Sequence, residues 1–340
     1  PIVASTTGTF TDTTHKDAIA EDDLVGVKVI TGAGGTTFTC SSLRLKFDAA
    51  SDTASMHTSV GPDYLTASTT FYQPLSGSSG SNNVVTTEAN AQQLMRTACR
   101  FSKYQVYVVT NGRSTTCTAG SRLNAGTGAQ SVSIGAGTTG VFRDTANYDD
   151  VVSGDLFNTS FATGTGTGSV IMGSRSVRCV STTGAFHIHS SMGDARVYNA
   201  STTSYLAAGG ALTASSGTEA SAVGDSLINS LQQRLNIYVS ANAVSATSTL
   251  TSRKNTADAT QTLSIGGSTT GRFENTTLTD VIAGQADTLC YKLATGAGGT
   301  SMTVYNCGQL ITSLEGKTWM RSSDLVGGMQ RLLRGGAING

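Results

Sequence analysis

The sequence has little charge, little proline and few aromatic side chains. Among its 340 residues, charged residues make up 13% and aromatic residues 6%, with 3 prolines, 4 histidines and 1 tryptophan. Globular proteins usually contain about a quarter charged residues. The formal net charge is zero, so the chain has no global attraction to nucleic acid or to an anionic membrane surface. We therefore expect no specific nucleic-acid partner.

The sequence also lacks long apolar runs. No run approaches the roughly 18 residues of a membrane-spanning helix. The first residues, PIVASTTGTF, do not show a basic region followed by an apolar one, which is the pattern of a signal peptide. These absences predict no membrane span and no signal peptide.

Cysteine is present, but without the spacing of a metal site. None of the 6 cysteines forms a CxxC pair, which argues against a zinc site. Cys117 and Cys290 align with Ser248 and Asn158 in the repeat described next, so a shared disulfide is not required. We expect mostly reduced, buried thiols.

One stretch of the chain occurs twice. Residues 121–146 and 252–277 align without a gap at an offset of 131 and are identical at 12 of 26 positions. A period this long indicates a domain duplication, because solenoid repeats run about 20–50 residues. Weaker matches on either side extend the first repeat to 40–178 and the second to 179–311. An N-terminal arm, 1–39, and a C-terminal tail, 312–340, remain outside the repeats.

Short alternating segments separated by Gly, Asn, Asp and Thr predict an all-β fold. Strict alternation marks 43–47 as a strand, and similar patterns recur every 8–12 residues, as in a sandwich or barrel. The arm contributes a further strand at 24–30. Apolar residues at helical spacing predict short helices near 89–100 and 225–233.

The repeated stretch has a structural interpretation. Thr-Thr-Gly separates two strands in each repeat and predicts a tight turn with Gly140 and Gly271 at positive φ. Phe142 and Phe273 then anchor the next strand. Ile134 and Ile265 are expected to face these rings across the core.

The order of these features resembles a jelly-roll module of bacteriophage virion structural proteins. The shared pattern is R-x-N, an alternating strand, a G-x-x-x-TG-x-F-x-[DN]-T turn and a [SA]G corner, and it covers both repeats. The matching residues are Arg122, Asn124, Gly140, Phe142 and Asp144, and then Arg253, Asn255, Gly271, Phe273 and Asn275. The second repeat departs at the corner, where Gln285 aligns with Asp155. The resemblance implies two tandem jelly-roll-like antiparallel β-sandwiches.

Motifs that suggest chemistry have competing structural interpretations. The GDSL motif at 224–227 is typical of hydrolases whose serine needs a downstream histidine, but all histidines precede Ser226. Asp225 is then interpreted as a helix N-cap. His187 and His189 lie on one face of a strand and are weak candidates for a metal pair without an evident third ligand.

Two further motifs are weaker still. Residues 316–318, Gly-Lys-Thr, lack the glycine and the strand-loop-helix context of a phosphate loop. Asp149 and Asp150 could serve in a glycan-cleaving site, but only one acid remains at 279–280. We predict no enzyme activity, no cofactor and no bound metal.

The resemblance therefore implies a non-enzymatic virion structural protein, made in the host cytoplasm, as a shell, decoration or tail component. Its expected partners are copies of itself, as a trimer or larger homo-oligomer, and other virion proteins. The alternative is a receptor- or glycan-binding tail-fibre or adhesin module on an extracellular surface. Loop aromatics would favour that alternative: Tyr64, Phe71, Tyr72, Tyr148 and Tyr198.

The C-terminal tail is predicted to form a short helix. Ser322–Asp324 can cap it, and it would dock on a neighbouring subunit or on the second repeat. The candidate assembly residues in this tail are Trp319, Leu325, Met329, Leu332 and Leu333.

Overall fold

The computed structural model describes the chain in segments, of which the longest are 85–181, 228–284 and 287–315. The other described residues are 2, 6, 10, 12, 14–20, 30, 44–47, 54–66, 68–75, 186–208, 210–211, 217–226 and 318–321. The chain divides into two compact units, Pro1–Phe38 and Thr39–Gly340.

The first unit contains no helix or strand among its described residues. Its local structure is a turn in which the carboxylate of Asp12 accepts hydrogen bonds from the backbone N–H groups of Thr14, at 3.0 Å, and His15, at 3.1 Å. The predicted strand 24–30 lies outside the described residues except for Ile30, which belongs to no strand.

The second unit consists mostly of β-strands. Those from residue 44 to 181 are β1 (Arg44–Phe47), β2 (Ala54–Leu65), β3 (Thr70–Gln73), β4 (Gln93–Leu94), β5 (Cys99–Asn111), β6 (Cys117–Leu123), β7 (Gly126–Ile134), β8 (Gly140–Arg143), β9 (Tyr148–Val151), β10 (Leu156–Ala162) and β11 (Val170–Ser181), with the short helix α1 (Glu88–Ala91) before β4.

Strands of the same kind continue to residue 321. They are β12 (Phe186–Asn199), β13 (Thr203–Ala207), β14 (Gly210–Ala211), β15 (Gly224–Asp225), β16 (Ser230–Val244), β17 (Ser248–Lys254), β18 (Ala257–Ile265), β19 (Gly271–Glu274), β20 (Thr279–Ile282), β21 (Thr288–Ala294), β22 (Gly299–Ser313) and β23 (Thr318–Arg321), with one 3-10 turn at Glu219–Ser221.

Each repeat contributes a larger and a smaller sheet. In the first repeat the strand orders are β2-β11-β5-β8, with β9 also on β5, and β3-β10-β6-β7, with β4 on β10. In the second they are β14-β12-β22-β16-β19, with β20 on β16, and β13-β21-β17-β18, with β15 on β21. The β12–β14 ladder is parallel, and the other described ladders between named strands are antiparallel. The prediction of an all-β, antiparallel fold is confirmed.

Corresponding strands have the same burial pattern. In β7 every second residue from Gln130 to Ile134 is buried, and in β18 every second residue from Gln261 to Ile265 is buried. This alternation arises because successive side chains of a strand point to opposite faces of the sheet. One face of each strand therefore lines a core.

Each pair of sheets encloses a hydrophobic core. In the first repeat, Phe101 of β5 stacks on Phe157 of β10 with ring centroids 4.4 Å apart, so the rings join the larger sheet to the smaller one. Burying one such side chain contributes about 1.5–3 kcal/mol. In the second repeat, Ile237 of β16 and Tyr291 of β21 belong to one buried cluster. Two packed antiparallel sheets of this kind form a β-sandwich.

The two repeats also pack on each other. Leu310 of β22 belongs to the buried cluster of the first repeat. Residues 306–311 of the same strand are all buried, although alternate side chains point to opposite faces. Strand β22 is therefore covered on one side by its own repeat and on the other by the first repeat.

The prediction of short helices near 89–100 and 225–233 is wrong for most of both segments. Helix α1 ends at Ala91, and β4 and β5 occupy much of the rest of the first segment. The backbone of Leu94 pairs with Leu156 in a ladder, so pairing between strands outweighs the local helical spacing. In the second segment Asp225 lies in β15 and does not cap a helix.

The boundaries that the sequence predicts for the repeats fall inside strands. Strand β11 runs through 178 to Ser181, and β22 runs through 311 to Ser313. Residues 318–321 then form β23, where Trp319 pairs with Lys46 of β1 in an antiparallel ladder. The predicted tail helix, with Leu325, Met329, Leu332 and Leu333, lies outside the described residues.

Candidate functional site

The arginine of the R-x-N motif is held by a glutamate from an earlier segment. Arg122 donates two hydrogen bonds to Glu88, at 2.9 and 2.8 Å, and Arg253 donates two to Glu219, both at 2.8 Å. Paired bonds between a guanidinium and a carboxylate fix both groups in one plane. The bonds from Arg253 lower the pKa of Glu219. Each pair ties the segment that carries the glutamate to a strand of the smaller sheet.

The asparagine of the same motif binds the corner after β9 or β20. Asn124 donates to Asp155 at 2.8 Å and accepts from the N–H of Leu156 at 2.8 Å. Asn255 donates to Asp287 at 2.6 Å and accepts from Thr288 N–H at 2.8 Å.

The corner chemistry is therefore shared, and the expectation based on Gln285 is wrong. Asp155 accepts a hydrogen bond from the N–H of Val152, and Asp287 accepts the equivalent bond from Ala283. The second repeat has one more residue between these two groups. Matching the corner glycines Gly154 and Gly284 consequently placed Gln285 opposite the aspartate.

A buried aspartate links β7 to β9, and another links β18 to β20. Asp149 accepts hydrogen bonds from the backbone of Ala129, at 2.6 Å, and the side chain of Gln130, at 2.9 Å. Asp280 accepts bonds from Ser252, at 2.5 Å, and Gln261, at 3.1 Å.

The environment of Asp280 keeps its carboxyl group ionised. Burial alone would raise the pKa of Asp280, but hydrogen bonds from Ser252, Thr260 and Gln261 outweigh it and lower the pKa. Asp280 therefore stabilises the fold, and its first-repeat counterpart is Asp149 rather than the exposed Asp150.

An asparagine at the end of the long strand holds the Thr-Thr-Gly turn. Asn111 donates to the carbonyls of Gly135, at 3.0 Å, and Thr138, at 3.1 Å. Asn242 donates to the equivalent carbonyls of residues 266 and 269, at 3.1 and 3.0 Å. The turns end at Gly140 and Gly271, with φ of 112° and 115°, a region that side chains rarely adopt.

The apolar residues of the repeated stretch differ in burial. Ile134 and Ile265 are fully buried. Phe142 and Phe273 are only partly buried and pack against the cores of their own repeats. Phe142 pairs with Val106 in the β5–β8 ladder, and Phe273 pairs with Ile237 in the β16–β19 ladder, so the two rings occupy corresponding positions.

The [DN] position of the motif makes opposite hydrogen bonds in the two repeats. Asp144 accepts a bond from the N–H of Ser131 at 2.8 Å. Asn275 instead donates to the carbonyl of Thr262 at 2.7 Å. Both side chains also accept bonds from the backbone of the following turn. Either residue type therefore closes the same turn.

The residues considered for catalysis or metal binding are dispersed. Ser226 is fully buried and donates to the carbonyl of Ile228 at 2.9 Å. His187 and His189 lie two residues apart in β12, and His57 is buried against Phe101. Among the described residues, no group of three His, Cys, Asp or Glu side chains is arranged to hold a metal ion.

Asp150 forms an exposed ion pair. It binds Arg100 at 2.7 and 2.8 Å, and the guanidinium lies 3.7 Å from the ring centroid of Tyr148. Asp149 is buried in the β7–β9 link described above. The two neighbouring acids thus point into different surroundings and do not share a cleft.

The loop aromatics are not all exposed. Tyr148 is 47% exposed, whereas Tyr198 is 4% exposed and belongs to the second core. Phe71 and Tyr72 lie partly buried in β3. The side chain of Tyr64 lies outside the described residues.

The cysteines that the structure describes are buried, as predicted. They are Cys99, Cys117, Cys179, Cys290 and Cys307. Burial raises the pKa of Cys307. Cys40 lies outside the described residues.

The polar part of the contact between the repeats is centred on Glu274. Glu274 accepts hydrogen bonds from Arg234 at 2.8 Å and pairs with Arg96 of the first repeat at 2.9 Å. Burial lowers the pKa of Arg96 to about 10, although Glu274 opposes this shift.

Two arginines of the second repeat also bind the first-repeat backbone. Arg272 donates to the carbonyls of Ala89, at 3.2 Å, and Gln92, at 3.0 Å. Arg234 donates to the carbonyl of Arg96 at 3.1 Å. Each of these bonds joins residues far apart in sequence, and together they fix the α1 segment of one repeat against the larger sheet of the other.

Sequence reasoning missed the glutamates that hold Arg122 and Arg253. A signal was present: the pattern T-E-A-x-A at 87–91 recurs at 218–222, at the same offset of 131. It lies outside the ungapped block and is short. The asparagines Asn111 and Asn242 keep the same offset but have no other matching residue beside them.

No protein-family model matches this chain, and no curated protein matches it. In the part of the chain that the structure describes, no helix is long and apolar enough to cross a membrane.

Proposed function

We propose that the chain is a non-enzymatic structural protein of a virion, built from two tandem jelly-roll-like sandwiches, which assembles with copies of itself and with other virion proteins. Its role is a shell or decoration component, with a tail component as the alternative position in a particle. Assembly uses the loops and the two unduplicated ends, 1–39 and 312–340.

The observation that carries the proposal is the use of the motif residues. The polar residues of the R-x-N pattern bind partners within the fold, as the Arg122–Glu88 pair and the Asn124–Asp155 pair show. The second repeat makes the same bonds through Glu219 and Asp287. Residues that recur in both repeats thus serve to hold strands and corners, which is the requirement of a building block.

The agreement between the repeats supports the tandem duplication. The strands β6, β7, β9 and β10 have 7, 9, 4 and 7 residues, and so do β17, β18, β20 and β21. The order of strands within the smaller sheets also agrees. A chain that repeats one folding unit presents related surfaces twice, which suits regular assembly.

The experiment is to purify the full chain and to examine it by sedimentation velocity and negative-stain electron microscopy over a range of concentrations. Regular particles or sheets support the proposal. A protein that stays monomeric at every concentration tested contradicts it. Deleting residues 322–340 then tests the role of the C-terminal tail in assembly. The truncated chain should remain folded, as measured by circular dichroism, and should no longer assemble.

The second candidate is a glycan- or receptor-binding module, which the exposed ring of Tyr148 favours. Monodisperse trimers that bind a glycan array, with loss of binding in Tyr148→Ala, would replace the structural role by this one. Regular particles without glycan binding would exclude it.

A further inference from the structure

The contact between the two repeats uses one surface of each, and the equivalent surfaces remain on the outside of the chain. The second repeat contributes Tyr238 and Arg272 on the outer face of its larger sheet, and the first repeat contributes the α1 segment. The guanidinium of Arg272 covers the Tyr238 ring at 4.5 Å from its centroid and donates to the α1 carbonyls.

The ladder registers identify the matching surface on the first repeat. Tyr238 pairs with Arg272 and Asn306, whereas Tyr107 pairs with Val141 and Ser174. Tyr107 therefore occupies the position of Tyr238, but without a covering arginine. Tyr107 is 42% exposed and Val109, on the same face, is 43% exposed.

The outer surface of the first repeat at Tyr107 and Val109 is apolar and exposed. A Cβ added at Gly173 would lie 2.8 Å from Cγ2 of Val109 and 2.9 Å from Cδ1 of Tyr107. Both side chains therefore lie against the backbone of the neighbouring strand β11.

The segment equivalent to α1 in the second repeat is also on the outside. The 3-10 turn at Glu219–Ser221 follows the same T-E-A-x-A pattern as α1, and Ala220 corresponds to Ala89 at the offset of 131. Ala89 is partly buried where it meets Arg272, whereas Ala220 is exposed. The chain thus carries one filled and one open version of each contact surface.

The filled and the open versions of the contact differ in charge at both partner positions. Glu274 meets Arg96 in the contact within the chain. The residue in the ladder position of Glu274 is Arg143 in the first repeat, and the residue aligned with Arg96 in the second repeat is Leu227. Had an arginine been kept at position 227, it would face Arg143 in the open version of the contact. Leu227 removes that repulsion.

We infer that chains associate head to tail, with the 219–221 turn of one chain docking on the Tyr107–Val109 surface of the next, as α1 docks on the Tyr238 surface within one chain. The inference rests on the proposed function, because it names one contact that contributes to self-assembly beside the two unduplicated ends. Contacts of this heterologous kind build rings when the rotation closes and filaments when it does not.

The test blocks each surface separately in the full-length protein. Tyr107→Lys blocks the sheet surface, and Ala220→Arg blocks the turn. Val109→Lys is a second variant for the sheet surface. The matched controls are Val197→Lys, at a residue that is 54% exposed outside both surfaces, and Ala220→Ser. Circular dichroism and thermal melting establish that each variant is folded.

Each blocking variant should raise the apparent dissociation constant for assembly at least tenfold in sedimentation velocity, and the controls should not. An equimolar mixture of Tyr107→Lys and Ala220→Arg should form dimers, because each chain keeps one intact surface for the other. The two introduced cations repel, so these dimers can only come from the native surfaces.

If the folded blocking variants assemble like the wild type, or if the mixture does not dimerise, the head-to-tail inference is wrong while the proposed function stands on the assembly of the wild type. If the wild type itself never assembles, the proposed function fails and this inference fails with it.

Discussion

Asn255 and Asp287 bind each other at 2.6 Å and close the corner between β20 and β21. Asn124 and Asp155 make the same contact at 2.8 Å between β9 and β10. Each asparagine also accepts a hydrogen bond from the backbone N–H of the residue that follows the aspartate, which is the first residue of the next strand. The bond is thus a shared feature of two corners that differ by one residue in length.

Replacing Asp287 by alanine should lower the free energy of unfolding by about 1–3 kcal/mol, because the amide of Asn255 and the N–H of Ala283 would lose their acceptor. Urea titration followed by circular dichroism measures the change. Asp155→Ala should have a similar effect. Gln285→Ala is the matched control and should cost less than Asp287→Ala. A larger loss in Gln285→Ala would mean that the corner is assigned to the wrong residue.

The stability of the protein should fall in acid, in part through Asp280. Hydrogen bonds hold the pKa of Asp280 below its ordinary value of 3.8, despite the opposing effect of burial. A carboxyl whose pKa is lower in the folded state adds stability above its unfolded pKa and loses it as the pH falls through the folded value. The loss should therefore occur below about pH 4.

Asp280→Asn provides the comparison. At pH 7 this variant should be less stable than the wild type by about 1–3 kcal/mol, and the difference should shrink below about pH 4 as the wild-type carboxyl takes up its proton. Asp150→Asn removes an exposed carboxylate and should have only a small effect, because surface ion pairs add little. An Asp280→Asn difference that stays constant from pH 7 to 2.5 would contradict the assignment.

Truncating Phe157 should destabilise the core of the first repeat more than truncating Phe142. Phe157 is fully buried and stacks on Phe101, so Phe157→Ala should cost about 3–5 kcal/mol. Phe142 is only partly buried against the same core, and Phe142→Ala should cost less than about 3 kcal/mol. Thermal unfolding of both variants tests the order. Equal losses would show that Phe142 is as important to the core as a fully buried ring.

The sequence predicted the all-β fold because its alternation is local and because the repeat makes the same pattern visible twice. It predicted helices around 89–100 wrongly, since the apolar spacing there is compatible with a helix and the ladder partner Leu156 is remote in sequence. Matching the corner glycines Gly154 and Gly284 hid Asp287, because the second corner has one more residue between Ala283 and its aspartate.

The contact between the repeats could not be predicted in the same way. It depends on Arg96, Arg234, Arg272 and Glu274, and none of these residues is identical at the aligned position of the other repeat. A contact between two repeats need not resemble anything inside either repeat. Periodicity therefore gives no information about it, and only the three-dimensional structure brings these side chains together.

Glu274 should be the most sensitive position at the contact between the repeats. It is the carboxylate that meets both Arg96 and Arg234, and the side chain of Arg96 is only 2% exposed. Removing one partner of a buried ion pair leaves the other charge without compensation and costs about 3–5 kcal/mol. Glu274→Gln keeps the shape of the side chain but removes its charge, so most of this loss should appear in that variant.

The matched control for Glu274 is Arg143→Ala. Arg143 occupies the equivalent ladder position in the first repeat, and its side chain is exposed. Differential scanning calorimetry separates the two effects. In Glu274→Gln, the repeats should unfold in less cooperative transitions at lower temperature, because the contact that couples them is weakened. Arg143→Ala should melt as the wild type does. A single unshifted transition in Glu274→Gln would mean that Leu310 and the other apolar residues of β22 couple the repeats without help from the ion pairs.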